Sequence, residues 1–181
     1  MEFTDEIIVV QVLAGRHDLY RVLVERHERA VRGMGLSFFR NNDDAVDFAQ
    51  DVFIKAFRGL PGFKGMARFS TWLYRIAYTT AVNQVNRRRE YASLADCDYE
   101  GAYLSPEDAH LKEAIRQAVK QAVSELPEKY RICIDLFFFY DRNYEEIEVI
   151  SGFPVNTVKS HVFRAKKILR EKLKGFVEGG Q

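Results

Sequence analysis

"YEEIEVISGFPVNTVKSHVFRAKKILREKL", residues 144–173, carries apolar residues at spacings of three and four on either side of a short turn that contains Gly152. "YEEIEVI" reads as a short helix, and a longer helix opens after "SGF" with Pro154 at its first position, where a missing N–H is harmless. Two helices joined by a turn of about three residues make a helix-turn-helix pattern. At about 100° per residue the second helix gathers Val155, Val158, Val162, Ala165, Leu169 and Leu173 on one packing stripe. Its opposite face carries Asn156, Lys159, Ser160, Phe163, Arg164 and Lys167, with Thr157 at the edge.

Charge is concentrated there. Between Ser151 and Gly175 seven Lys and Arg stand against one acid, Glu171, a local +6 in a chain of net charge +1. A recognition helix sends residues near its N-terminus to base edges while cations further along neutralise phosphates, and this face has that order. A merely solvated basic helix is the plainer alternative, but it leaves Phe163 unexplained. A large apolar side chain among cations suits a groove that offers a thymine methyl better than it suits water. His161 falls at the boundary of the packed stripe, where a half-buried structural histidine fits as well as a base contact.

The chain has 181 residues, 47% hydrophobic and 29% charged, which suits one ordinary soluble domain or two small ones. No run approaches the roughly 18 to 20 apolar residues of a membrane span, and "MEFTDEIIVV" has acids where a signal peptide has positive charge. A cytoplasmic protein is expected. Cys97 and Cys133 lack a second Cys or a His at metal-ligand spacing, and the four histidines are scattered. Reduced thiols, no metal and no cofactor follow, with Cys133 in "ICIDLFFFY" a small buried hydrophobe.

Upstream, "EIIVVQVLAG" and "LYRVLVERHERAVRGMG" read as two helices closed by glycines. "DDAVDFAQDVFIKAFRGL" places Ala45, Ala49, Val52, Phe53 and Ala56 on one face and Asp44, Asp47, Asp51, Lys55 and Arg58 on the other, ending at the loop "GLPGFKG". In "FSTWLYRIAYTTAVNQVNRRR" Ser70 is a natural N-cap, and Phe69, Trp72, Leu73, Ile76 and Thr80 follow core spacing, with Tyr74, Arg75 and Tyr78 opposite. These make a bundle of about four helices. From Glu90 to Glu113 seven acids oppose Lys112 alone. That stretch reads as a linker, ended by "SPED", where Ser105 and Asp108 suit a capping box around Pro106. The expected fold is all-α: two small helical domains joined by a flexible acidic linker, the C-terminal one containing the helix-turn-helix.

At this point the residues resemble a family. "DDAVDFAQDVFIKAFRGLPGFKGMARFSTWLYRIAYTTAVNQVNRRR" is similar to the second conserved region of bacterial sigma factors. "LPEKYRICIDLFFFYDRNYEEIEVISGFPVNTVKSHVFRAKKILREKL" is similar to their fourth. With only an acidic linker between, the chain resembles the extracytoplasmic-function group of the sigma-70 family. The resemblance implies a region 2 domain over 1–92, a linker over 93–106, a region 4 domain over 107–175 and a tail over 176–181.

It also implies a division of labour. Asp47, Gln50 and Asp51 match positions that dock the β′ coiled coil of RNA polymerase, whose β′ and β subunits are the implied partners. Asp43 and Asp44 read instead as complements to the helix dipole. Phe63, Lys64, Arg68, Arg75, Tyr78 and Thr79 match residues that recognise and open the minus 10 element, where stacking surfaces hold flipped bases and cations hold the displaced strand. Trp72 has core spacing, with base stacking the alternative. Arg87, Arg88 and Arg89 fit phosphate contacts or a solvated helix end. Lys159, Ser160, Phe163 and Arg164 match residues that read the minus 35 element, in agreement with the helical projection. Relatives commonly have Arg at position 161 and Gly at 156, where this chain has His and Asn. Promoter DNA and an anti-sigma factor complete the implied partners, and the linker would pass near the polymerase cleft, a connector simply kept soluble by its charge being the alternative.

A second reading keeps the helix-turn-helix but makes the N-terminal bundle a sensor or dimerisation domain of an ordinary regulator of duplex DNA. The aromatic and Arg-rich stretch from Phe63 to Arg89 argues against it, because such a regulator has no use for melting residues. An enzyme is the weakest reading, since no phosphate-cradling loop, nucleophile elbow or metal spacing is present.

Overall fold

A computed structural model of the chain describes residues 3–92 and 110–178, with side chains over 3–88 and 117–174. The linker over 93–106, Cys97, the capping box around Pro106 and the side chain of Arg89 lie outside the described residues, whereas the two ends of the acidic stretch, 90–92 and 110–113, are helical. Every regular element among those described is helical: α1 (Asp5–Leu13), α2 (Tyr20–Phe39), α3 (Asn42–Gly59), α4 (Phe69–Ala92), α5 (His110–Ser124), α6 (Glu128–Phe138), α7 (Tyr144–Ser151) and α8 (Val155–Glu178), with two short 3₁₀ turns. The chain divides into two compact units, Met1–Ala102 and Tyr103–Gln181.

In the first unit, Thr4 caps α1 by accepting the Ile7 N–H at 3.4 Å, and Ile8, Val9 and Val12 are buried. Asn41 caps α3 by accepting from Asp43 and Asp44 at 2.8 and 3.1 Å. The expected core face of α3 is buried throughout, with Phe48 added to it. Glycine does not close α2. The helix runs past Gly33 and Gly35 to Phe39 and stops where Arg40 turns left-handed at φ 55°. Gly35 has a packing role instead: a Cβ there would lie 2.7 Å from Phe48 Cδ1 and 3.0 Å from Ala45 Cα, so its absence lets α3 approach.

Helix α4 begins one residue before Ser70, which is therefore inside the helix and not its cap. The Phe69 N–H donates to Glu6 Oε1 at 3.1 Å, so the orphan donor is satisfied from α1, whose carboxylate also suits the helix N-terminus. Phe69, Leu73, Ala77 and Ala81 are fully buried, while Trp72 and Ile76 are half-buried. Tyr74 is buried rather than opposite the core, its ring 6.4 Å from that of His27 on α2. Packing against both α2 and α3 widens the buried sector of α4 beyond a single stripe.

In the second unit, α7 starts with a reciprocal cap: Asn143 Oδ1 accepts from the Glu146 N–H at 2.8 Å, and Glu146 Oε2 accepts from the Asn143 N–H at 3.2 Å. It ends at Gly152, left-handed at φ 77°, whose N–H donates to Glu148 O at 2.8 Å. Pro154 sits just ahead of α8 and accepts the Val158 N–H at 3.0 Å, one place earlier than expected, while the Val155 N–H donates to Glu148 Oε1 at 3.2 Å. Val158, Val162 and Ala165 are buried against the neighbouring helices, and Val155, Leu169 and Leu173 are half-buried along the same stripe.

Candidate nucleic-acid interface

Because that stripe anchors α8, the opposite face is held outward. Asn156, Lys159, Ser160, Phe163, Arg164 and Lys167 are all exposed, Phe163 by 69%, and Thr157 is half-buried at the edge. The Ser160 hydroxyl donates to Asn156 O at 2.9 Å, and Lys159 Nζ lies 5.7 Å from the centre of the Tyr144 ring. Arg164 Nη1 donates to the Tyr130 hydroxyl at 3.2 Å. The cations serve unequally: Lys166 Nζ lies over Phe137 and Phe138, and Lys172 pairs with Glu125.

His161 turns inward, only 8% exposed. Its ring lies between those of Tyr130 and Phe153, each 5.2 Å away, and its Nδ1 is 3.7 Å from Cys133 Sγ. Burial first, then the charges of Lys129 and Arg164, hold its pKa below the ordinary histidine value. A neutral, packed imidazole is the result, and the base-contact alternative falls. Cys133 is fully buried as expected, and burial pushes its thiol up to about 12.

In the first unit a loop leads into α4. Gly65 takes φ 67°, Lys64 and Arg68 are exposed, and Met66 stands 87% exposed at the loop tip. Phe63 is half-buried, its ring edge-on to Phe69 at 6.0 Å and tilted on Trp72 at 5.3 Å. Trp72 in turn lies against Gly59, where a Cβ would meet its ring at 3.5 Å. Arg75 and Thr79 project outward one turn apart, with the Thr79 hydroxyl donating to Arg75 O at 2.8 Å. Tyr78 is half-buried beside Phe38, ring centres 6.1 Å apart. Periodicity says nothing about a loop tip, so the exposure of Met66 is visible only in the fold.

Arg88 has a different use from the one expected. Its guanidinium grips Asp44 with two hydrogen bonds of 2.9 and 2.7 Å and lies 5.0 Å over the Phe39 ring. That hydrogen bond, ahead of the Arg88 charge, holds the Asp44 carboxyl below the usual range, so Asp44 does more than complement a helix dipole. Arg87 is exposed.

On α3, Asp47, Gln50 and Asp51 are exposed together, and Ile54, 50% exposed, continues their stripe. Ile54 lies three residues beyond Asp51 and four beyond Gln50, so a full helical projection would have found it. Gln84 Nε2 donates to Asp51 Oδ2 at 3.2 Å and fixes that carboxylate. Among the described residues no group of three or more His, Cys, Asp or Glu could hold a metal ion. No described helix is long and apolar enough to cross a membrane.

A helix-turn-helix unit with a basic outer face, in a chain whose other unit is a four-helix bundle with an acidic stripe, defines the class: a DNA-binding protein with a second surface of opposite charge. Residues 23–91 match Sigma-70 region 2, and residues 116–169 match Sigma-70, region 4. The chain is 34% identical over 180 residues to the RNA polymerase sigma-H factor of Pseudomonas aeruginosa, covering 93% of each. It is 34% identical over 187 residues to the ECF RNA polymerase sigma-E factor of Escherichia coli K12, covering 97% of each. Its structure is similar to that of the sigma factor RpoE in complex with the anti-sigma factor NepR from Bartonella quintana, with a TM-score of 0.74 at 26% identity over 86% of this chain and 96% of that one. It is also similar to CnrH in complex with the cytosolic domain of CnrY, with a TM-score of 0.70 at 25% identity over 94% and 97%. The chain belongs to the extracytoplasmic-function group of the sigma-70 family and is a promoter-specific transcription initiation factor. The reading of an ordinary duplex-binding regulator is thereby set aside.

Proposed function

We propose that this chain binds core RNA polymerase through α3, reads the minus 35 element as duplex through α8, and opens the minus 10 element with the loop before α4 and that helix's outer face. The observation that carries the reading is the outward face of α8, which presents Asn156, Lys159, Ser160, Phe163, Arg164 and Lys167 from a helix whose opposite stripe is buried. An exposed phenylalanine among cations suits the major groove, where a thymine methyl can cover it. Asp47, Gln50 and Asp51, with Ile54 beyond them, form an acidic stripe with an apolar end, a composition suited to a protein partner that nucleic acid would not match. That partner is the β′ subunit, with β as a further contact. Lys64, Arg68 and Arg75 supply cations for a displaced strand, and Phe63, Tyr78 and Thr79 supply the stacking and polar contacts.

The functional division is a region 2 domain over 1–92, a linker over 93–106 and a region 4 domain over 107–175. The chain works in the bacterial cytoplasm as a non-enzymatic subunit without cofactor. One similar solved structure holds an anti-sigma factor, and the same class of inhibitor is expected to bind this chain. The test adds the purified chain to bacterial core polymerase on a promoter-bearing genomic library. Run-off transcripts from defined sites, dependent on the chain, are expected. DNA retained by the chain alone with no gain in initiation would contradict the reading.

A further inference from the structure

Tyr130 lies in the first turn of α6 and faces α8, with its ring centre 5.2 Å from that of His161. His161 is itself fixed: it is buried, has Phe153 edge-on at 5.2 Å, and has Cys133 Sγ 3.7 Å from Nδ1. A ring resting on a buried imidazole has few orientations left to it, so its hydroxyl is delivered to a defined point beside the exposed face of α8. There it accepts a hydrogen bond of 3.2 Å from Arg164 Nη1. Lys129 Nζ lies over the same ring at 5.5 Å. The Arg164 hydrogen bond, followed by the charges of Arg164 and Lys129, holds the Tyr130 phenol below the usual tyrosine range.

An arginine that reads a base must order a long side chain before its planar fork can engage, and that ordering subtracts from affinity. A guanidinium has five N–H donors, so one held by a hydroxyl leaves the others for a base edge. We propose that Tyr130 is a positioning residue for promoter recognition, its hydroxyl presetting the guanidinium of Arg164 for one base pair of the minus 35 duplex. The inference rests on the reading of Arg164 as a minus 35 contact. It gives His161 a purpose as well: the buried imidazole is the platform for the tyrosine.

The test uses the full chain assembled with core polymerase, selecting bound duplexes from a randomised library and counting them by sequencing. Arg164→Ala is expected to erase the preference at one base pair. Tyr130→Phe, which keeps the ring on His161, is expected to lower the preference at that same pair about three- to tenfold and leave the other positions alone. The double variant should be indistinguishable from Arg164→Ala, because the hydroxyl acts only through the guanidinium. Loss confined to one pair cannot come from general destabilisation, which weakens every position. The inference is overturned if Tyr130→Phe changes nothing, weakens all positions alike, or adds to Arg164→Ala. An Arg164→Ala profile equal to that of the native chain would show instead that the reading of Arg164 fails, and the inference would fall with it.

Discussion

On α8 the side chains proposed to meet DNA stand on a helix whose packing is done by the opposite stripe, whereas those around the start of α4 are partly engaged in holding their own unit together. Phe163 and Lys159 project from a buried Val158–Val162–Ala165 ridge. Phe63, by contrast, rests on Phe69 and Trp72, and Tyr78 rests on Phe38. The difference suits the two proposed tasks. Reading a duplex needs a rigid comb at groove spacing, since the DNA brings its own order. Holding an opened strand needs surfaces that can exchange a protein neighbour for a base, and a half-packed aromatic ring has such a neighbour to give up.

Mutations should separate the two designs. Phe69→Ala removes a fully buried ring that touches His27, Phe63 and Trp72, and should destabilise the first unit by about 3–5 kcal/mol in urea unfolding. Phe163→Ala, on the exposed side of α8, should change stability by less than about 0.5 kcal/mol and yet reduce promoter-specific transcripts. Asp51→Arg should weaken core polymerase binding by about 2 kcal/mol, measured by competition for core, without altering duplex binding. Arg164→Ala should lower discrimination at one base pair by about 1–3 kcal/mol, with core affinity unchanged. If it also lost core binding, the division of roles between the two units would be wrong.

The smallest effect concerns the Asp44–Arg88 pair. Because the Asp44 carboxyl is held below its ordinary range, the pair stabilises the fold fully above that range and loses its contribution as pH falls through the lowered value. Asp44 is one third exposed, so the contribution is under about 1 kcal/mol. Asp44→Asn should therefore cost little at neutral pH and flatten the acid side of the stability curve, as read by urea unfolding across that range.

Legibility divides along the same line. The α8 face could be projected from spacing alone because α5, α6 and α7 all pack on the other side of the helix, and all six outward residues are exposed. Around α4 that logic is incomplete. Tyr74 is buried because α4 meets two helices, and Arg88 is occupied by an aspartate 44 residues away. The helix start is satisfied by Glu6, 63 residues upstream. Gly35 looked like a helix terminator and is a contact point, since only the neighbour Phe48 reveals why a side chain is excluded. His161 lay at the edge of the projected stripe, and its burial was decided by Tyr130 and Phe153 from other elements. Local periodicity specifies which face of a helix is apolar; the choice among distant polar partners belongs to the tertiary fold.

The central claim is that α8 acts on closed duplex and the α4 surface acts on opening. It is tested most directly by comparing transcription from an intact promoter with transcription from the same promoter carrying a mismatched bubble at the minus 10 element. For the double variant Lys64→Ala, Arg75→Ala the bubble should restore initiation toward the native level, and for Arg164→Ala it should not. A bubble that rescued Arg164→Ala while leaving the loop variant defective would contradict the assignment of the two surfaces.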